Sequence, residues 1–230
     1  SSVFEWKTFK AQRFSLQYFK AIIKQAIPST LNLAMIAIGI FIINYYVLMF
    51  GGTDGIASYG ASVRIEQIAL LPALGLNIAV LTLVGQNYGA NQFLRMNETI
   101  IKSLKIGIIM MMIGGIFLYI FSPLLVSLFN SDENVINIGV RYLRIQVFTL
   151  SSYVILNIFT SFLQGIKKPN FIIIIGVYRQ VLPFLIFYLL GYHYNLGLDG
   201  VWFGILAINW SAAIILTYYT YKVIKKLNKV

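Results

Sequence analysis

Gln146, Thr149, Tyr153, Asn157, Thr160 and Gln164 recur three or four residues apart through an otherwise apolar stretch. At 100° per residue such positions stay within about 60° of the first, so a helix carrying them shows one polar stripe from end to end. In a membrane-length helix that stripe lines either a water-accessible cavity or a hydrogen-bonded seam between helices. Six polar side chains in a row exceed what a single helix contact needs, which favours the cavity.

Five ionisable residues also fall inside apolar stretches: Arg64, Glu66, Arg141, Arg144 and Arg179. A charge at the centre of a membrane span costs on the order of 3 kcal/mol, so each must face protein, water or the headgroup level. Arg141 and Arg144 lie near the end of their stretch and can snorkel outward. Glu66 and Arg64 lie deeper. Two positions apart, they are separated by about 200° on a helix and do not form a self-contained pair. Glu66 shares its side with Tyr59, Ala73 and Asn77, an alignment that a break at Pro72 would blur, whereas Arg64 shares the opposite side with Gly60, Leu71, Gly75 and Thr82. Glu66 is therefore read either as a proton or cation site in a wet cavity or as a carboxylate pinned to a neighbouring helix, with Arg179 as the candidate partner. Asn44 and Asn209 are single polar residues, read as interhelical hydrogen bonds rather than ligands. Pro72 and Pro183 lie inside their stretches, where each removes a backbone hydrogen bond and can kink the helix.

Other chemistries lack their parts. The 230 residues hold no cysteine and one histidine, His193, so neither a thiolate site nor a multi-histidine metal site nor a histidine-based triad can be assembled. No phosphate loop or dinucleotide fingerprint is present. The expectation is a protein that is not an enzyme, with no metal and no tightly bound cofactor.

The elements that must position these residues are long apolar runs, approximately 27–50, 56–84, 100–121, 135–163, 171–191 and 198–221. A bilayer core about 30 Å thick needs roughly 20 apolar residues in a helix, and each run meets that length. Composition agrees, with 59% hydrophobic and 11% charged residues, against about 25% charged in soluble domains. The polar breaks between the runs, at 51–55, 87–99, 122–134, 164–170 and 192–197, are short and make neighbouring spans antiparallel. Fourteen of the 18 basic residues precede the first run, follow the last, lie in the second and fourth breaks, or, as Lys102 and Lys105, sit just past the second break at the start of the third run, and the other breaks contain no base. Short basic loops stay in the cytoplasm, so both termini are expected inside. The net charge of +11 is then topological; the lipid bilayer is the partner, and nucleic acid is not. Lys10, Arg13, Gln17, Lys20 and Lys24 recur at helical spacing, predicting an amphipathic linker helix over 1–24 on the cytoplasmic headgroups. Residues 25–230 form the membrane domain. The fold class is all-α, a polytopic six-helix transmembrane bundle. Ser1 and Ser2 open the chain without an initiator Met or a secretory leader, which reads as a fragment of a longer protein.

The stretch 56–90, IASYGASVRIEQIALLPALGLNIAVLTLVGQNYGA, ends in Gly85-Gln86-Asn87-Tyr88-Gly89-Ala90 and resembles the eighth span of the multidrug and toxic compound extrusion (MATE) transporters. Leu163-Gln164-Gly165-Ile166-Lys167-Lys168-Pro169 is similar to the inner loop after that family's tenth span. Tyr178-Arg179-Gln180 is similar to the next span, and the likeness covers essentially the whole chain, most closely the DNA-damage-inducible protein F branch. The resemblance implies one lobe, spans seven to twelve, of a twelve-span transporter localised to the cytoplasmic membrane. It implies as partner an N-terminal six-helix lobe, and as activity the export of amphipathic, often cationic drugs by Na⁺- or H⁺-coupled antiport. The polar stripe, Asn77 and Tyr178 would contribute to the cavity wall. A Glu in the seventh span and an Asp in the tenth, used by the branch that couples Na⁺ through this lobe, have no acidic counterpart here, so the resemblance places the driving-ion site more naturally on an Asp of the first lobe and leaves Glu66 as this half's acidic candidate. The alternatives are a lipid-linked saccharide flippase of the same superfamily and an inactive fragment or membrane scaffold.

Overall fold

The computed structural model describes residues 16–227, with side chains from residue 34 onward. The linker helix expected over 1–24 lies outside the described residues as far as residue 15, and residues 16–24 are helical. Every described element is a helix: α1 (Leu16–Gly89), α2 (Phe93–Ser127), α3 (Glu133–Gly165), α4 (Asn170–Phe187), which runs on as a π-helix over Tyr188–His193, and α5 (Leu198–Leu227). Packing contacts divide the chain into Ser1–Ile38 and Gly39–Val230, and the candidate site residues lie in the second unit.

Among the described residues, five helices are long and apolar enough to cross a membrane. The first resolves into two limbs at Gly52, whose φ of 60° and ψ of −154° interrupt the helix. A Cβ on Gly55 would lie 3.1 Å from the Val47 carbonyl oxygen. Eight residues of straight helix would separate those positions by about 12 Å, so the chain reverses at Gly52. Glycine adopts this left-handed conformation without steric cost, and the two limbs account for the first two apolar runs.

The loops are shorter than the polar breaks suggested, because the helices overrun the apolar core at both ends. α2 and α3 hold 35 and 33 residues, about 50 Å each. α2 absorbs the start of the predicted 122–134 break, carrying Pro123 inside the helix. Helical backbone also continues through Pro72 and Pro183. α3 is preceded by Asp132, whose carboxylate accepts from the Asn134 and Val135 amides at 2.8 and 3.3 Å, a side-chain cap for otherwise unpaired donors.

α3 packs against both α2 and α5, and α4 against α5. The second limb of α1 joins α3 through Ser58 and Ser62, whose hydroxyls donate to the Val135 and Gly139 carbonyls at 2.5 and 3.4 Å. Close backbone approach occurs where a Cβ on Gly165 would meet the Gly85 amide and Leu81 carbonyl at 3.2 Å, and where one on Gly200 would meet Gly191 at 2.7 Å. Ile106, Ile109, Ile113, Ile116 and Ile120 of α2 and Ile173, Ile174, Val181 and Phe184 of α4 are exposed. That apolar exterior is what a lipid-facing surface requires.

Candidate functional site

Glu66 sits in the second limb of α1 and is 6% exposed. Tyr142 of α3 donates its hydroxyl to Glu66 Oε2 at 2.6 Å, and Glu66 Oε1 has no hydrogen-bond partner among the described residues. Two aromatic rings pack on the carboxylate's partner, Tyr142. Trp202 of α5 stacks on Tyr59 at 5.7 Å, while Tyr142 meets both edge-on at 4.7 and 5.5 Å. A carboxylate among such rings is costly to keep charged without compensation, so its single donor and its bare oxygen both matter. The side assignment made from periodicity matches the burial. Glu66 and Ala73 are buried, Tyr59 and Asn77 half-buried, and Gly60, Arg64, Leu71, Gly75 and Thr82 exposed.

Arg179 is not the group that holds Glu66. Its guanidinium donates to Asn209 Oδ1 at 2.7 Å and lies 5.7 Å over the Tyr153 ring. Glu66 is instead tied to Tyr142, one helical turn before Gln146 and therefore a continuation of the same polar stripe. Extending the stripe's period backward by four residues would have included it. Trp202 carries no comparable signal in the sequence.

The stripe on α3 divides in two. Gln146 and Thr149 are buried, with Gln146 Nε2 donating to the Trp202 carbonyl at 3.0 Å and Thr149 Oγ1 donating to Gln146 Oε1 at 2.8 Å. This part is a hydrogen-bonded seam with α5. Tyr153, Asn157 and Thr160 are half-buried and Gln164 is exposed. Ser161, beside them, donates to Asn77 Oδ1 at 2.8 Å, and the Tyr178 hydroxyl pairs with Ser211 Oγ at 2.9 Å. The half-buried part thus lies among polar groups of α1, α4 and α5. Of the single asparagines, Asn209 bridges to Arg179 as well as to the Ile205 carbonyl. Asn44 departs from its expected role, donating to the Ile40 carbonyl of its own helix at 2.8 Å.

The remaining candidates have local roles. Arg64 is exposed; Arg141 pairs with Asp199 at 2.5 Å, and Arg144 lies 5.2 Å over the Tyr119 ring. The Gly85–Ala90 motif closes α1. Gly85 faces Gly165, Ala90 donates to the Gln86 carbonyl at 3.0 Å, Gln92 to the Asn87 carbonyl at 2.8 Å, and Asn91 takes a left-handed φ of 57°. The same cap ends α3, where Lys167 has φ 57° and Lys168 donates to the Leu163 carbonyl at 2.8 Å. Gly89 is exposed, with open space where a Cβ would stand. Gln180 packs against Gly39, where a Cβ would overlap its amide oxygen. Pro72 is exposed and Pro183 buried. Among the described residues no three His, Cys, Asp or Glu side chains come together.

Antiparallel apolar helices, with polar groups buried between them and an apolar exterior, define a multi-pass α-helical membrane domain. The MatE family model matches residues 28–193, and the chain belongs to that family, whose members are transporters rather than enzymes. It is 26% identical over 223 residues to the probable multidrug resistance protein YoeA of Bacillus subtilis, covering 91% of this chain and 45% of that protein. To the probable multidrug resistance protein NorM of Thermotoga maritima it is 22% identical, covering 82% of this chain and 40% of that one. A solved structure described as the inward-facing conformation of a multidrug resistance MATE family transporter of the MOP superfamily superposes with a TM-score of 0.88. That structure is 24% identical and covers 95% of this chain and 50% of its own. The chain therefore spans about half the length of the relatives it matches, as a single lobe would.

Proposed function

We propose that this chain is the C-terminal lobe of a two-lobed secondary transporter that exports amphipathic compounds, cationic ones included, in exchange for Na⁺ or H⁺. Its partner would be an N-terminal six-helix lobe, with both ends of this chain on the cytoplasmic side. The observation that carries the reading is the Glu66–Tyr142 pair, a membrane-embedded carboxylate with one oxygen bonded and one bare, beside the half-buried ridge of Tyr153, Asn157 and Thr160. A proton or a Na⁺ ion neutralises such a carboxylate, and its arrival or departure changes what Tyr142 bonds. Because Tyr142 belongs to the helix that carries the ridge, ion occupancy and the wall facing the substrate are linked through one rigid element. Relatives named as multidrug resistance proteins support export, and solved MATE structures described as inward-facing and outward-facing support alternating access.

The test uses the two-lobed protein in proteoliposomes under an imposed Na⁺ or H⁺ gradient, with accumulation of a fluorescent amphipathic dye as readout. Glu66→Gln is expected to lose gradient-driven accumulation at least about tenfold while still binding dye. Full ion-driven transport by that variant would reassign Glu66 to structure.

A further inference from the structure

We infer that Arg179, with Tyr153 and Asn209, forms an anion-recognising subsite, so that the transported compound carries a carboxylate or phosphate beside an apolar or aromatic body. The inference rests on the exporter reading and narrows its substrate class.

Arg179 is the tenth residue of α4, about 15 Å into the helix. It lies opposite the exposed face formed by Ile173, Ile174, Val177, Val181 and Phe184, so it points among the helices and away from lipid. No carboxylate among the described residues neutralises it. Six of the seven acidic residues fall among the described residues, and four are engaged elsewhere: Glu98 with Lys102, Asp199 with Arg141, Asp132 as the cap of α3, and Glu66 with Tyr142. Asp54 lies beside the Gly52 turn and Glu133 opens α3, about 30 Å along that helix from Tyr153. Asn209 and the Tyr153 ring orient the guanidinium and supply no counter-charge.

A guanidinium offers five N–H donors in a planar fork. One hydrogen bond is made, to Asn209, and Tyr153 covers one face. The remaining edge fits a carboxylate or phosphate in two-point fashion. An uncompensated cation at membrane depth is expensive, and a ligand that brings the missing charge recovers that cost where a neutral ligand does not. Tyr153 and the half-buried Tyr178 lie close by for the ligand's apolar body.

The experiment compares two dyes with one ring system, a free carboxylate and its methyl ester, in ion-driven uptake by the two-lobed protein. The wild type is expected to favour the acid at least about tenfold in kcat/KM. Arg179→Gln should erase that preference, lowering kcat/KM for the acid to that for the ester, and Arg179→Lys should keep part of it. Equal or faster ester transport by the wild type overturns the inference without needing any variant to fold. An equal loss of both dyes in Arg179→Gln also overturns it, because the preference for the acid would then survive without the guanidinium. If neither dye moves under an ion gradient, the exporter reading fails, and this one with it.

Discussion

Removing the Tyr142 hydroxyl isolates the energetic link between the second limb of α1 and the polar helix α3. In Tyr142→Phe the ring keeps its contacts with Tyr59 and Trp202, but Glu66 loses its one donor among the described residues, with Oε1 already bare. A hydrogen bond to a charged group contributes about 1.5–3 kcal/mol, and leaving a buried acceptor unsatisfied costs a similar amount. Only 6% of Glu66 is exposed, so water does little to replace the hydroxyl and the full loss is expected. At 1.4 kcal/mol per tenfold, that is a shift of roughly 10- to 150-fold in the unfolding equilibrium. The assay is denaturant unfolding in mixed micelles of the wild type, Tyr142→Phe, Glu66→Leu and the double variant. With Leu at 66 there is no acceptor to orphan, so the same Tyr142→Phe change should cost less than about 0.5 kcal/mol, giving a coupling energy of at least about 1 kcal/mol. An equal cost in both backgrounds would show that Tyr142 acts through ring packing alone and would remove the link between ion site and ridge.

Gly200→Ala places a Cβ 2.7 Å from the Gly191 amide nitrogen and the Leu190 carbonyl carbon; backbone cannot yield as a side chain does, so a loss of about 1–3 kcal/mol is expected, and unchanged thermal unfolding would contradict the close crossing. Asn157→Leu should change the relative rates at which different dyes are exported by several-fold, since each polar group on a cavity wall discriminates by about 1–3 kcal/mol, with little effect on folding. Unaltered efflux of every dye would remove Asn157 from the wall.

The architecture was legible because membrane insertion is read from apolar length, and each run of about 20 residues became a span. The boundaries were less so. Ser122, Pro123 and their neighbours look like a break, yet Ser122 and Ser127 donate to the Tyr119 and Leu124 carbonyls and the helix continues past them. Helical period also separated Glu66's buried side from Arg64's exposed side correctly. Period alone, however, cannot name what faces a helix. Glu66 found Tyr142 instead of Arg179, and Gln146 and Thr149 closed on Trp202's carbonyl while Asn157, on the same stripe, stayed half-open. Those outcomes depend on which helices lie beside α3, and no residue spacing within α3 encodes that. The turn at Gly52 was visible as a glycine-rich break; its left-handed backbone was not.

The central claim is that the part of the α3 stripe from Tyr153 to Thr160 faces a wet cavity between two lobes. This lobe has no cysteine, so single cysteines introduced into it report with a membrane-impermeant thiol reagent once any cysteine of the other lobe is replaced. Asn157→Cys and Thr160→Cys are expected to react, and to be protected by transported dye. Thr149→Cys, buried in the seam, and Val181→Cys, on the apolar exterior, are expected to stay unmodified. A residue 157 cysteine that never reacts in any ion or substrate condition, or a residue 181 cysteine that reacts just as fast, would contradict the account.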